Sequence, residues 1–306
     1  MRKMFFLFAI LICLPFVVRA SELSDAIENA REHCDLVTIL DITKDTANDA
    51  MVYSGIGTVA GGAALGTGIA KANINKQIKE KDTNPEELDI ESQDVVVEEP
   101  DTIDDPIEET ENTDNDIKFS EDFDTDKATR KAKTLGYAQG GTLFVSMLSN
   151  AASAGNSSAI ATDKPLGWDI DACIGAIKEL NNVKMAGRVT GTADETELQR
   201  ADKITSACSQ WETFDYSKIT KRAKGAAILS GVAAGAGVVG AATAITGTAS
   251  ASWNDEQSLN RSDKIANVSS GVATAASGVA TGFNAAQLKV INRGIKIAEE
   301  CVAAFE

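Results

Sequence analysis

The residues with the most definite chemistry are Cys34, Cys173, Cys208 and Cys301. With Cys13 assigned to the export signal read below, these four are an even number of thiols, which in an exported chain points to two disulfides rather than to free nucleophiles. A metal site is disfavoured, because no CxxC occurs and the only histidine, His33, adjoins Cys34 instead of standing at ligand spacing. Three pairings are open. Closure within each half of the chain, Cys34–Cys173 and Cys208–Cys301, is favoured by the repeat described below. Its competitor is Cys173–Cys208 with Cys34–Cys301, since Cys173 and Cys208 are nearly equidistant from the turn signal at Gly187 to Gly191.

Other candidate chemistry dissolves on inspection. Gly235-Ala236-Gly237-Val238-Val239-Gly240 is a literal GxGxxG with Asp255 downstream. A dinucleotide site also needs a preceding strand and an alternating β/α pattern, and here the string is only the densest part of a small-residue run. Nucleophilic catalysis would depend on His33 alone, which reads as a solvent-facing helix residue. Asp122, Asp124 and Asp126 alternate like the start of a calcium loop, but Lys127 replaces the turn glycine and Lys133 the closing carboxylate. Asp41/Lys44 and Asp215/Lys218 recur three apart and read as helix-surface ion pairs. No basic patch with interleaved aromatics suggests nucleic acid. The expectation is therefore a protein that is not an enzyme, with no catalytic residue, no cofactor and no metal.

Positioning the cysteines is a matter of duplication. Cys34 to Lys44 matches Cys208 to Lys218 without a gap as Cys-x6-Asp-x-Ser/Thr-Lys, and Ser54-Gly55 then falls on Ser230-Gly231 after a two-residue insertion. Asp171-Ala172-Cys173-Ile174-Gly175-Ala176 answers Glu299-Glu300-Cys301-Val302-Ala303-Ala304 at the closing ends. Each unit is a cysteine, a charge-free run, a polar connection, a second run and another cysteine.

Residues 1–20 read as a signal peptide, with Arg2 and Lys3 before an apolar run and Val18-Arg19-Ala20 before the cleavage point; Cys13 goes with it. The net charge of −16 is local, because residues 80–126 carry 21 acidic residues against Lys81 and Lys118. With Pro85, Pro100 and Pro106 and little apolar surface, this acidic linker is expected to be disordered. The domain reading is 21–79 and 127–190 as the two halves of repeat 1 around the linker, and 191–306 as repeat 2.

Four runs contain no charged residue: Ala50–Ala70, Thr134–Thr162, Gly225–Asn254 and Ile265–Leu288. Within them Gly57/Gly61, Gly62/Gly66, Gly136/Gly140, Gly231/Gly235 and Gly278/Gly282 are four apart, where a helix would present a smooth face to a second backbone. Six glycines between Gly55 and Gly68 cost about 5 kcal/mol of helix propensity relative to alanine, so such a helix needs a packed partner, a bilayer, or both. Flanking segments read as amphipathic helices with Ile27, Ala30, Cys34 and Val37 on one face, then Ile170, Cys173, Ile177 and Leu180, then Ile204, Ala207, Cys208 and Trp211. Their predicted spans are 170–185 after Asp169 and 197–224 after Asp194-Glu195. Trp168, Trp211 and Trp253 fall near helix ends as core residues or interfacial anchors.

The fold class is all-α: two tandem helical hairpins from an internal duplication, close-packed through glycine and alanine. The expected role is that of an exported structural or interaction protein of the cell envelope, associated with a membrane through its glycine-rich runs. Self-association or a protein partner is compatible with the small-residue faces, and nucleic acid is not. A crossing arrangement puts Lys71, Lys76, Lys79, Arg130, Lys131 and Lys133 together on the inner side, as the positive-inside rule asks, but puts Lys218, Lys221, Arg222 and Lys224 outside. Two alternatives stand beside it. One is a soluble periplasmic or secreted disulfide-stabilised binding protein; the other is a secreted protein that inserts into a target membrane and forms a pore.

Overall fold

The computed structural model describes residues 22–83, 124–250 and 256–306. Residues 1–20, read above as a signal peptide, most of the acidic linker and Trp253 lie outside the described residues. Every element among those described is helical. In chain order they are α1 (22–34), α2 (Val37–Thr83), α3 (Thr125–Ala161), α4 (Lys164–Thr190), α5 (Glu195–Cys208), a 3₁₀ turn (Ser209–Thr213), α6 (Ser217–Ser250) and α7 (Glu256–Val302).

Helices α2 and α3 form one hairpin and α6 and α7 the other. The two lie side by side, so that α2, α3, α6 and α7 make a four-helix arm in which α3 touches α6 and α7 touches α2. At 47 residues, α2 and α7 are each about 70 Å long. The lower part of the bundle merges with α1, α4, α5 and the 3₁₀ turn into a base, and the arm projects from it.

The base holds an ordinary hydrophobic core. Ile27, Ala30, Ile170, Ile177, Leu180, Ile204 and Trp211 are buried there, while Val37 and Ala207 pack against it half-covered. The predicted amphipathic faces thus converge on one cluster, closed at the chain's end by Phe305. Trp211 meets Phe214 edge to face at 5.2 Å. Trp168, in contrast, is exposed.

Local signals set the helix ends. Asp163 caps α4 by accepting from the Leu166 N–H, and Pro165 occupies the first turn, where it removes no helical hydrogen bond. This start lies ahead of the expected 170. Gly191 ends α4 at φ 64°, a left-handed conformation that glycine adopts without strain, whereas Gly187 remains helical. Asp194 caps α5 through the Thr196 N–H, with Glu195 and Glu197 favourably placed in the first turn. The helix expected over 197–224 is interrupted: the chain tightens into the 3₁₀ turn after Cys208, and extended Phe214 separates it from α6. Burial of Trp211 and Phe214 in the base requires that corner. Asp124, from the calcium-like triplet, caps α3 by accepting from the Asp126 and Lys127 N–H groups.

Candidate functional site

The four cysteines lie in the base as Cys34–Cys173 and Cys208–Cys301, one bond closing each repeat. The bonds are neighbours: the Cys34, Cys173 and Cys301 sulfurs all lie within 4.8 Å of one another. With every thiol oxidised, this cluster has no thiolate to offer a metal. His33 is exposed. The duplicated pairs Asp41–Lys44 and Asp215–Lys218 both form at 3.6 Å on exposed surface, consistent with weak helix-surface contacts. The Ser217 hydroxyl donates to Asp215 and holds its carboxyl below the usual carboxylate range. At Tyr216, burial and the neighbouring Asp171 carboxylate raise the phenol above its ordinary value.

The arm is built the other way round from the base. Its interior is polar: Ser54, Gln139, Ser146, Asn150, Ser153, Ser157, Ser230, Ser277, Asn284 and Gln287 are buried. These side chains bond across helices. The Ser146 hydroxyl donates to the Gly57 carbonyl at 2.9 Å, and Ser277 to Asn150 Oδ1 at 2.9 Å. Ser153 donates to the Ala50 carbonyl and meets the Ser230 hydroxyl at 3.1 Å. Ser54 accepts from Thr281 and Asn284, and Ser157 donates to the Asn284 carbonyl oxygen.

Bulky apolar side chains point outward instead. Val52, Ile56, Val59 and Ile69 are exposed on α2, and Tyr137, Phe144, Val145 and Leu148 on α3. On α6 Ile228, Val232, Val238, Val239 and Ile245 are exposed, as are Ile265, Val268, Val272, Val279 and Phe283 on α7.

Two contact levels measure this apolar sleeve. Near the base, Ala50, Ser153 and Ser230 meet. Near the tip, Lys71, Thr248 and Gly136 meet, and Lys71 pairs with Asp263. The levels are therefore 17 to 21 residues apart on α2, α3 and α6, or about 30 Å. Each of the four charge-free runs overlaps this slab. Lys71 and Asp263 are buried at its upper limit, joined at 2.7 Å, with Asn75 Nδ2 donating to Asp263 at 2.7 Å.

The glycines of the arm divide between two helical phases, one turned into the bundle and one turned out of it. At Gly57 an added Cβ would meet Asn150, and at Gly61 it would meet the Thr274 side chain and backbone, so these two do permit close approach. Gly62, Gly66, Gly231, Gly235 and Gly282 have open space there, and Gly278 meets only Thr58 at 3.9 Å. These six face outward. Gly136 and Gly140 are close approaches, as their spacing predicts, and further ones occur at Gly68, Gly237, Gly240 and Gly247. The reason is helical phase: the buried stripe of α2 runs Ser54, Gly57, Gly61, Ala64, Gly68, Lys71, and glycines one residue away are turned out of it. Gly237 and Gly240 belong to the GxGxxG string, which is a helix-packing surface.

Among the described residues one helical segment, Glu195–Ala249, is long and apolar enough to cross a membrane by length and composition, and its apolar part is α6. Comparison with protein-family models, curated proteins and solved structures finds no match to this chain.

Proposed function

We propose that this is a non-enzymatic membrane protein of the cell envelope, structural or interaction in role. Its four-helix arm lies in a bilayer and its disulfide-closed base in an oxidising aqueous compartment. The observation that carries this reading is the inversion of the arm: Val, Ile and Phe outward, Ser, Asn and Gln inward, over about 30 Å without a charge. In water such an arrangement leaves apolar surface exposed and gives the core little hydrophobic stabilisation. In hydrocarbon both costs vanish, and hydrogen bonds between helices with small residues at close approaches supply the association.

The borders of the slab suit this placement. Tyr53 on α2 and Tyr137 on α3 are exposed near its lower and upper ends, where amphipathic rings favour the interface. The basic residues below it, which weaken a simple positive-inside argument, are partly engaged: Arg222 donates to the Ala286 carbonyl at 2.6 Å and Lys218 pairs with Asp215. Helices α2, α3 and α7 have only one apolar face, so they enter lipid as a packed unit with α6 rather than singly. A soluble, disulfide-stabilised binding protein is the second reading, favoured by α6 being, among the described residues, the one helix apolar enough to span alone.

Sodium-carbonate extraction of membranes from cells expressing the full chain tests the proposal. Retention of the protein in the pellet supports it. Complete release into the supernatant supports the soluble reading and removes the bilayer from the account.

A further inference from the structure

We infer that the interior of the arm is a closed passage for protons, gated by Leu143. The inference rests on the membrane-embedded reading above. On the buried face of α3 the residues run Gln139, Leu143, Ser146, Asn150, Ser153 and Ser157, a polar stripe interrupted once. Leu143 forms its own small apolar cluster with Ala64 of α2 and Ala241 of α6, separate from the core of the base. It is tightly held, with the Leu143 carbonyl and Cδ1 pressed against Gly237 and Gly240. Carbon from three helices thus separates two polar stretches, with Ser269 of α7 beside Leu143 at Gly240 on the fourth side.

Both stretches contain buried groups whose hydrogen bonds are incomplete. On the tip side, Gln139 Nε2 donates to Asn267 at 2.9 Å, but Gln139 Oε1 has no partner although the residue is fully buried. On the base side, neither amide atom of fully buried Gln287 has a partner; this residue lies on the α7 face that carries Ser277 and Asn284. Buried amides of this kind call for internal water. Waters held by those two amides would extend the hydroxyl chain in both directions from the Leu143 layer.

A proton can cross a chain of hydroxyls and waters by successive transfers, each oxygen receiving one proton as it passes one on and then turning back to its starting orientation, while the amides only hold those waters in place. An apolar constriction stops this by excluding water, and making that constriction polar wets it. Leu143 is the gate on that argument, and the close helix packing around it makes the resting state tight.

The test reconstitutes the full oxidised chain in liposomes loaded with a pH-sensitive dye, with valinomycin and potassium carrying the compensating charge. Flotation of the protein with the liposomes is measured in the same samples. Leu143→Ser, and Ala64→Ser as a milder change in the same layer, are expected to float with the liposomes and raise proton flux at least about tenfold over the parent protein. Circular dichroism and disulfide mapping establish that each variant is folded. Folded, floating variants with flux equal to the parent overturn the passage while leaving the membrane reading intact. Failure of the parent protein to float overturns the reading on which the passage rests.

Discussion

Lys71 Nζ lies 2.7 Å from Asp263 Oδ1 at the far end of the arm, and the lysine side chain is 1% exposed. The pair joins α2 to α7, while a 3.2 Å hydrogen bond from the same ammonium to Thr248 brings in α6. Gly136 of α3 leaves the space that the ammonium and Thr248 occupy. One buried ion pair thus ties α2, α6 and α7 together against α3 where the charge-free slab ends.

Removing one partner leaves the other charged and buried. Asp263→Asn is expected to destabilise the protein by about 3 to 5 kcal/mol, whereas replacing both, as Lys71→Met with Asp263→Leu, is expected to be near neutral. Denaturant melts of the single and double variants measure the difference. A double variant as unstable as the single one would contradict the argument.

The adjacency of the disulfides gives a second expectation. Cys208→Ser frees Cys301, whose sulfur lies within 4.8 Å of those of Cys34 and Cys173. Thiol–disulfide exchange should then yield Cys34–Cys301 or Cys173–Cys301 species, seen by non-reducing peptide mass mapping. Loss of the 93-residue closure should also cost about 4.7 kcal/mol on the chain-entropy model.

Glycines of the two phases should respond oppositely to alanine. At Gly61 a Cβ would lie 2.7 Å from Thr274 Oγ1 and 3.2 Å from its backbone nitrogen, which cannot yield easily. Gly61→Ala should therefore destabilise by about 1 to 3 kcal/mol through overpacking. Gly66→Ala meets open space and should stabilise the helix by up to about 1 kcal/mol. Thermal melts of the two variants in one detergent decide the sign.

The base was largely legible from sequence because its signals are strong and local: a cysteine on each apolar stripe, aspartates before helices, Gly191 at a turn. The repeat also favoured Cys34–Cys173 and Cys208–Cys301 over the competing pairing. The arm was legible only as four long charge-free helices. Ser, Ala and Gly differ little in size, so spacing alone did not reveal which phase of each run turns inward. Gly62 and Gly66 looked as suitable as Gly57 and Gly61, and nothing local marked Asn150 or Gln139 as interior. That Val59 and Val238 point outward while Ser146 and Ser277 point inward depends on all four helices together. The corner at Trp211 to Phe214 was missed because its cause is tertiary burial, which overrode a continuous helical pattern.

The orientation of the arm's apolar residues is the most direct point of attack on the whole account. Liposomes containing a lipid with a photoactivatable group in its acyl chain, combined with mass spectrometry of the crosslinked protein, would map which side chains meet hydrocarbon. Labelling should concentrate on outward residues of the slab such as Ile56, Val59, Phe144, Val238 and Val272, and spare Ser146, Ser277 and the base. Labelling confined to the base, or none anywhere in the arm, would contradict a bilayer-embedded bundle.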